Sequence, residues 1–421
     1  MQSNFYKAFS LNSIATGFKI ITGLIVSKFT AVFLGAEGIA LLGNLKSFFN
    51  SVQSFSSLGV RKGAVKYASK YQNDTKNFSK LISTYFISIL VVSLTVSILT
   101  TFFSRNISVY LFKVDKYFKV ISWFSFGLFF QVLHLFLTSI LNGFSQHKKF
   151  NYIQIFTSIF TLIITTFCIW KYNLDGIMFV LAILPGLFFF ITLFVEPELL
   201  KFLRLIKFLN FDFKMLKSLF EYALMSLVSA LIIPPTLIAI RNYIVETDSL
   251  THMGLWEAMN RVSNYIYMFT SSFIGLYLYP KLSKSENVIQ SRKYIYDFMK
   301  TFLPIISLGL IVLFLFKFWV VKLILSADFL AMIKLFKWQL LGDFFRIVSS
   351  IIAFQFFAKK MTIDYIITEI LSAIIWYLAS VYFINIYGYE GGSIGYFVCY
   401  LFYFLMITFW FRKLLFFRTL N

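Results

Sequence analysis

The chain has 421 residues, of which 59% are apolar and 14% charged, with a formal charge of +21. A water-soluble domain is about half apolar and a quarter charged, and the interior of a globule cannot absorb so much apolar surface, so a soluble enzyme is excluded. Mean hydropathy is +0.78, and the apolar residues fall in blocks of about 20, the length that spans a hydrocarbon core. A polytopic membrane protein is expected.

Blocks broken by charge, Pro or Gly predict twelve helices in chain order, near 11-34, 38-60, 80-103, 118-142, 151-170, 175-196, 216-245, 254-280, 298-318, 328-357, 363-386 and 391-412. The first is read as a span and not as a signal peptide, because it is long, contains Lys19 and Lys28, and lacks a small-residue cleavage pattern. The joins are short, so no extramembrane domain large enough for its own core is expected. Cys168 and Cys399 lie inside apolar blocks and read as small buried side chains.

Lys and Arg set the expected orientation. With the amino terminus inside, about 24 cations fall in cytoplasmic segments, among them Lys7, Arg61, Lys62, Lys66, Lys148, Lys149, Lys201, Lys281, Lys359 and Arg418, against about seven outside. Both termini are therefore expected in the cytoplasm, with the excess charge attracting anionic membrane lipids. Nucleic acid is not an expected partner, because the cations are spread over many short loops and form no continuous patch.

The most charged join, 197-217, divides the spans into an N-terminal six-helix lobe over 1-196 and a C-terminal six-helix lobe over 218-421, with a cytoplasmic linker between them. The halves echo one another: Gly38, Asn44, Ser47, Ser56 and Gly59 align at one offset with Gly254, Asn260, Ser263, Ser272 and Gly275. Chance is a rival explanation for residues so small and common. Two parallel repeats about an axis along the membrane normal would place a cavity between the lobes.

Charges within spans are costly, about 2.5 to 3.5 kcal/mol each at the bilayer centre, so they face a bundle interior or a watery cavity. The candidates are Lys19, Lys28, Lys46, Arg241, Arg261, Lys334, Lys337 and Arg346. Lys19 and Lys28 are nine residues apart, about 180° around a helix, so both cannot point straight into one cavity, and Lys28 is preferred. Lys334 and Lys337, near a helix end, are expected to snorkel to headgroups. Glu257 with Arg261 (i,i+4) and Asp343 with Arg346 (i,i+3) each have the spacing of a self-neutralising pair. Lys46 and Arg241 have no acid within one turn of their own helices, which makes them candidates for an anionic ligand, with a cross-helix structural pair as the other reading. Pro234 and Pro235 precede Arg241 by one to two turns and predict a kinked or unwound helix there, in the position of a gate hinge.

No GxxxxGK[ST] phosphate loop is present, which argues against ATP hydrolysis by this chain. His134, His147 and His252 are scattered without metal-ligand spacing, and no metal or cofactor is expected.

Three stretches carry a resemblance: FLGAEGIALLGNLKSFFNSVQSFSSLGVRKGAVKYASKY from Phe33, GLWEAMNRVSNYIYMF from Gly254 followed by YLYPKLSK from Tyr277, and FKWQLLGDFFR from Phe336. They resemble the Wzx-type flippases of O-antigen and other lipid-linked oligosaccharides, and most closely the common-antigen branch. These belong to the multidrug/oligosaccharidyl-lipid/polysaccharide exporter superfamily, and the resemblance runs nearly end to end. It implies an all-α integral membrane fold of twelve transmembrane helices, in two pseudo-symmetric six-helix lobes around a cationic central cavity. It also implies a transporter, not an enzyme, moving undecaprenyl-pyrophosphate-linked glycan from the inner to the outer leaflet of the bacterial inner membrane by alternating access. Polysaccharide polymerase machinery is the partner implied beyond the substrate. The cavity cations carry over to Lys46, in the asparagine-x-basic pattern, and to Lys28, Arg241 and Arg261, with Lys19, Asp343 and Arg346 as further candidates. Relatives usually carry Gln where this chain has Glu257 and often an acid where it has Asn264. The second departure weakens a proton-coupling role for the 254-280 segment. The alternative is a multidrug or small-cation antiporter of the same superfamily, which would need unpaired cavity carboxylates.

Overall fold

The computed structural model describes the backbone of residues 2–59, 61–285 and 287–416, with side chains except at 2–13, 62, 221 and 222. Lys7, Lys62 and Arg418 of the orientation count lie outside the described side chains. The described residues contain no strand. The helices are α1 Gln2–Ser56, α2 Arg61–Lys70, α3 Thr75–Phe102, α4 Ser104–Phe112, α5 Phe118–Gly143, α6 His147–Val195, α7 Leu200–Arg204 and α8 Phe213–Thr247. They continue as α9 Leu250–Phe273, α10 Tyr279–Lys284, α11 Val288–Leu315, α12 Lys317–Ile324, α13 Phe336–Lys359, α14 Thr362–Tyr387, α15 Glu390–Trp410 and α16 Arg412–Phe416. Local chemistry sets several starts. Asp74 accepts the Asn77 N–H at 3.0 Å before α3, Ser249 that of His252 at 3.1 Å before α9, and Asn287 that of Gln290 at 2.8 Å before α11.

Among the described residues nine helices are long and apolar enough to cross a membrane, against the twelve expected. Two of the nine are far longer than one crossing needs, at 43 and 49 residues, and each is interrupted once: α1 at Gly35 (φ 63°, ψ −165°) and α6 at Asn173 (φ 50°, ψ −130°). The expected breaks after residues 34 and 170 are therefore sharp changes of backbone direction within a helical run. α9, with Glu257 and Arg261 inside it, falls outside the nine, although the backbone stays helical through a π turn at Ile274–Leu278 into α10.

Gly35 adopts a region of backbone space nearly closed to other residues, and a Cβ there would meet no atom within 4 Å. Gly35→Ala is therefore expected to cost about 1–3 kcal/mol from the backbone alone, read as a lower thermal unfolding midpoint in detergent. An unchanged midpoint would show that the break does not need glycine.

By packing, the chain divides into two compact units, residues 1–29 with 44–234 and residues 30–43 with 235–421. The division falls between Pro234 and Pro235 inside α8, and residues 30–43 count with the second unit. α8 remains helical through both prolines, so of the two forms expected there, kinked or unwound, the segment is not unwound; neighbouring groups can satisfy the carbonyls a proline frees in a membrane helix.

In the first unit α2 and α3 pack on α5, and α5 on α6. Leu128, Val132 and Phe136 of α5 are fully buried, and the ring of Phe49 stacks on Phe124 at 3.8 Å. Gly127 and Gly186 let α5 and α6 approach: a Cβ on Gly186 would lie 2.8 Å from the Gly127 carbonyl oxygen. In the second unit α13 and α14 pack on α15, and α9 and α11 on α13, around buried Phe336, Ile351, Phe356, Trp376 and Tyr396. Gly342 of α13 makes room for the Tyr396 ring, whose nearest carbon would lie 2.4 Å from an added Cβ.

Candidate functional site

The charged core of the second unit is built from α8, α9 and the segment 30–43. Glu257 projects from α9 into space left by Gly43, where a Cβ would sit 2.8 Å from its carboxyl carbon. Its Oε2 accepts from Arg241 Nε at 2.9 Å and Nη2 at 2.7 Å, a two-pronged, charge-assisted contact. Arg241 Nη1 also donates to the Gly43 carbonyl at 3.2 Å. Arg261, one turn beyond Glu257, has its Nε 3.6 Å from Glu257 Oε1, too long for a hydrogen bond, and its Nη2 donates to the Ile39 carbonyl at 3.4 Å. All three residues are buried, at 3%, 6% and 8% exposure for Arg241, Glu257 and Arg261.

Of the two readings of Arg241, the cross-helix pair is thus the one found. Its acid comes from a different helix, and the i,i+4 pair of Glu257 with Arg261 is the looser of the two contacts. One carboxylate serves two guanidiniums, leaving the triad one positive charge in excess.

Asp343 and Arg346 do not form a direct ion pair, which corrects the expectation from their spacing. Asp343 Oδ1 accepts from the Tyr396 hydroxyl at 2.7 Å and Oδ2 from Ser263 Oγ at 2.8 Å. Arg346 reaches the same Tyr396 oxygen at 3.2 Å and lies over the Tyr267 ring at 3.8 Å, where the ring face attracts the cation. Gln339 extends the network, donating to Ser263 Oγ at 3.0 Å and to Asn260 Oδ1 at 3.2 Å. Lys334 and Lys337 are exposed, as snorkelling predicts, with Lys334 3.4 Å from Glu390 and Lys337 over Trp338 at 4.8 Å.

Lys28, Lys46 and Lys19 belong to the first unit. Lys28 and Lys46 are half-buried and each is engaged by the protein, while Lys19 is exposed. The four principal cations expected from the sequence therefore divide two and two between the units.

Sequence reasoning missed Arg61, which it counted as a loop cation. Arg61 lines a cleft of about 290 Å³ in the first unit together with Asn50, Gln53, Ser54, Ser57 and Ser226. Its side chain is solvent-accessible, yet the protein around it desolvates the guanidinium enough to push its pKa below the ordinary value. The signal was legible: positions 50, 53, 54, 57 and 61 recur at helical spacing and draw a polar stripe out of an otherwise apolar span.

No protein-family model matches the chain. It is 22% identical over 408 residues to the lipid III flippase of Escherichia coli (strain K12), covering 94% of this chain and 96% of that relative, and the lipid III flippase of Shigella flexneri gives the same figures. Among solved structures it is similar to an inward-facing multidrug resistance MATE family transporter of the MOP superfamily, with a TM-score of 0.75 at 14% identity, covering 95% of this chain and 94% of the other. It is likewise similar to the lipid II flippase MurJ in an inward closed conformation, with a TM-score of 0.72 at 20% identity, covering 96% of this chain and 87% of the other. The resemblance read from the sequence is borne out by these relatives, and the all-α membrane fold is the one shared by the two transporters.

Proposed function

We propose that this chain, a multi-pass membrane protein with the exporter-superfamily fold, is itself a flippase carrying an undecaprenyl-pyrophosphate-linked oligosaccharide across the bacterial inner membrane. The observation that carries the proposal is the excess charge of the buried triad: Glu257 neutralises one of Arg241 and Arg261, not both. A diphosphate bearing sugars cannot cross hydrocarbon unaided, and a positively lined, hydrated path removes most of that barrier. In this reading Lys28, Lys46 and Arg261 meet the pyrophosphate, with Arg241 held in place by Glu257. The glycan follows through water, the polyprenyl chain stays in lipid, and Pro234 and Pro235 serve as the hinge of an alternating-access movement. Both termini are cytoplasmic, and anionic lipids and polysaccharide polymerase machinery are the partners in the membrane.

The small-cation antiporter is favoured only by the fold shared with the MATE transporter. Near-full-length sequence similarity to lipid III flippases and the predominance of cations over acids at the site both weigh against it.

Reconstituted vesicles loaded with undecaprenyl-pyrophosphate-linked oligosaccharide test the proposal. Wild-type chain is expected to flip the glycolipid, and the Lys28→Ala/Lys46→Ala double variant to do so at least about tenfold more slowly, since a hydrogen bond to a charged group contributes about 1.5–3 kcal/mol. Undiminished flipping by the variant would remove the two lysines from the site. Wild-type transport of cationic dyes without glycolipid flipping would give the function to the antiporter reading.

A further inference from the structure

The Arg61 cleft lies outside the charged triad and has a feature the triad lacks, an apolar groove at its side. Among the described residues Arg61 has no hydrogen bond or ion pair, and no carboxylate lines the cleft. Lys19, also exposed, lies within electrostatic range of Arg61. Two neighbouring cations without an acid repel one another, and an anion between them relieves that repulsion. The chain then reverses at Leu58 (φ 54°) and Gly59 (φ 57°). Across that turn a second cavity of about 650 Å³ is walled by Leu58, Ile87, Val91, Leu216 and Phe220, with Lys217 among its lining residues. One stretch of α8 serves both: Phe220 and Leu224 face the groove, and Ser226 the cleft.

A pair of cations beside an apolar trough matches a ligand with a multiply charged head and a long hydrocarbon chain. We infer that the Arg61 cleft and the adjoining groove form a loading site for a polyprenyl diphosphate, with the diphosphate between Arg61 and Lys19 and the start of the chain along Val91 and Phe220. Phospholipids share the amphiphilic plan, but their phosphodiester carries one charge and leaves the second cation unmatched. The inference rests on the flippase reading and adds to it a place where substrate is held apart from the triad. Val91 is 55% exposed and Phe220 38%, so the groove is open for a chain to enter sideways from lipid.

The test uses the full chain in phosphatidylcholine nanodiscs, with undecaprenyl diphosphate and inorganic pyrophosphate as separate probes. Arg61→Gln is expected to weaken binding of both by about tenfold or more, with Arg61→Lys restoring most of it. Val91→Trp, which fills the groove, is expected to weaken undecaprenyl diphosphate binding and leave pyrophosphate binding at the wild-type level. Should Arg61→Gln fail to fold, judged by its thermal midpoint without ligand, the Val91→Trp comparison decides. Wild-type affinity in both variants, or displacement of undecaprenyl diphosphate by equimolar phosphatidylglycerol, overturns the loading site. If those variants also flip glycolipid like the wild type, the flippase reading stands without it. A wild-type chain that neither binds nor flips the polyprenyl diphosphate overturns both.

Discussion

Glu257→Gln is expected to destabilise the protein by about 3–5 kcal/mol, the range for removing one partner of a buried ion pair. The carboxylate accepts two hydrogen bonds from Arg241, at 2.9 and 2.7 Å, and stands 3.6 Å from Arg261. Glutamine keeps the shape but removes the charge, so two guanidiniums remain side by side without the carboxylate they share, Arg241 still donating to the Gly43 carbonyl and Arg261 to that of Ile39. The cost is that of stranding two cations, not of losing one contact, and Arg241→Gln added to Glu257→Gln should therefore restore part of the stability. Thermal unfolding midpoints of the single and double variants form a double-mutant cycle, and strong non-additivity is expected. A Glu257→Gln variant within about 0.5 kcal/mol of wild type, the range of an ordinary surface change, would show that the three side chains are not energetically coupled.

The triad also shows what sequence spacing can and cannot convey. The 3.6-residue period relates Glu257 to Arg261 because both lie on α9, but it carries no information about which side chain of another helix faces them. That is why Arg241 looked unpaired and why Asp343 and Arg346 looked like a local pair. In the structure Tyr396, 53 residues from Asp343, stands between the latter two. The helical membrane fold was legible because hydrocarbon thickness imposes a length on every span. The break at Gly35 was legible for a related reason, since a crossing must end somewhere and glycine permits the turn. The packing division at Pro234–Pro235 was not, because charge in a sequence marks exposure to water and not a change in what the chain packs against. Arg61 was overlooked on the same ground: a cation at the end of a span counts as a loop residue until its polar stripe is considered. Glu257 itself acquires a physical reason, for it holds Arg241 by two hydrogen bonds and offsets one of the two buried arginine charges.

The second large effect belongs to Gly254, the fifth residue of α9. A Cβ there would sit 2.0 Å from the Ala36 carbonyl oxygen and 2.4 Å from its carbon, backbone atoms that cannot swing aside as a side-chain tip can. Gly254→Ala is expected to cost about 1–3 kcal/mol or more, as overpacking does, whereas Gly309→Ala on α11, where a Cβ meets nothing within 4 Å, should be neutral or stabilising by up to about 1 kcal/mol of helix propensity. The consequence reaches the charged core. Pushing Ala36 away from α9 displaces the strip of backbone just after the Gly35 break, and that strip supplies the Ile39 carbonyl to Arg261 and the Gly43 carbonyl to Arg241. Gly254→Ala should therefore be non-additive with Arg261→Gln in unfolding midpoint and should slow glycolipid flipping, while Gly309→Ala should leave flipping unchanged. Additive midpoints for Gly254→Ala and Arg261→Gln would mean that the close approach at Ala36 serves packing alone and that the carbonyls at Ile39 and Gly43 are held in place by other contacts.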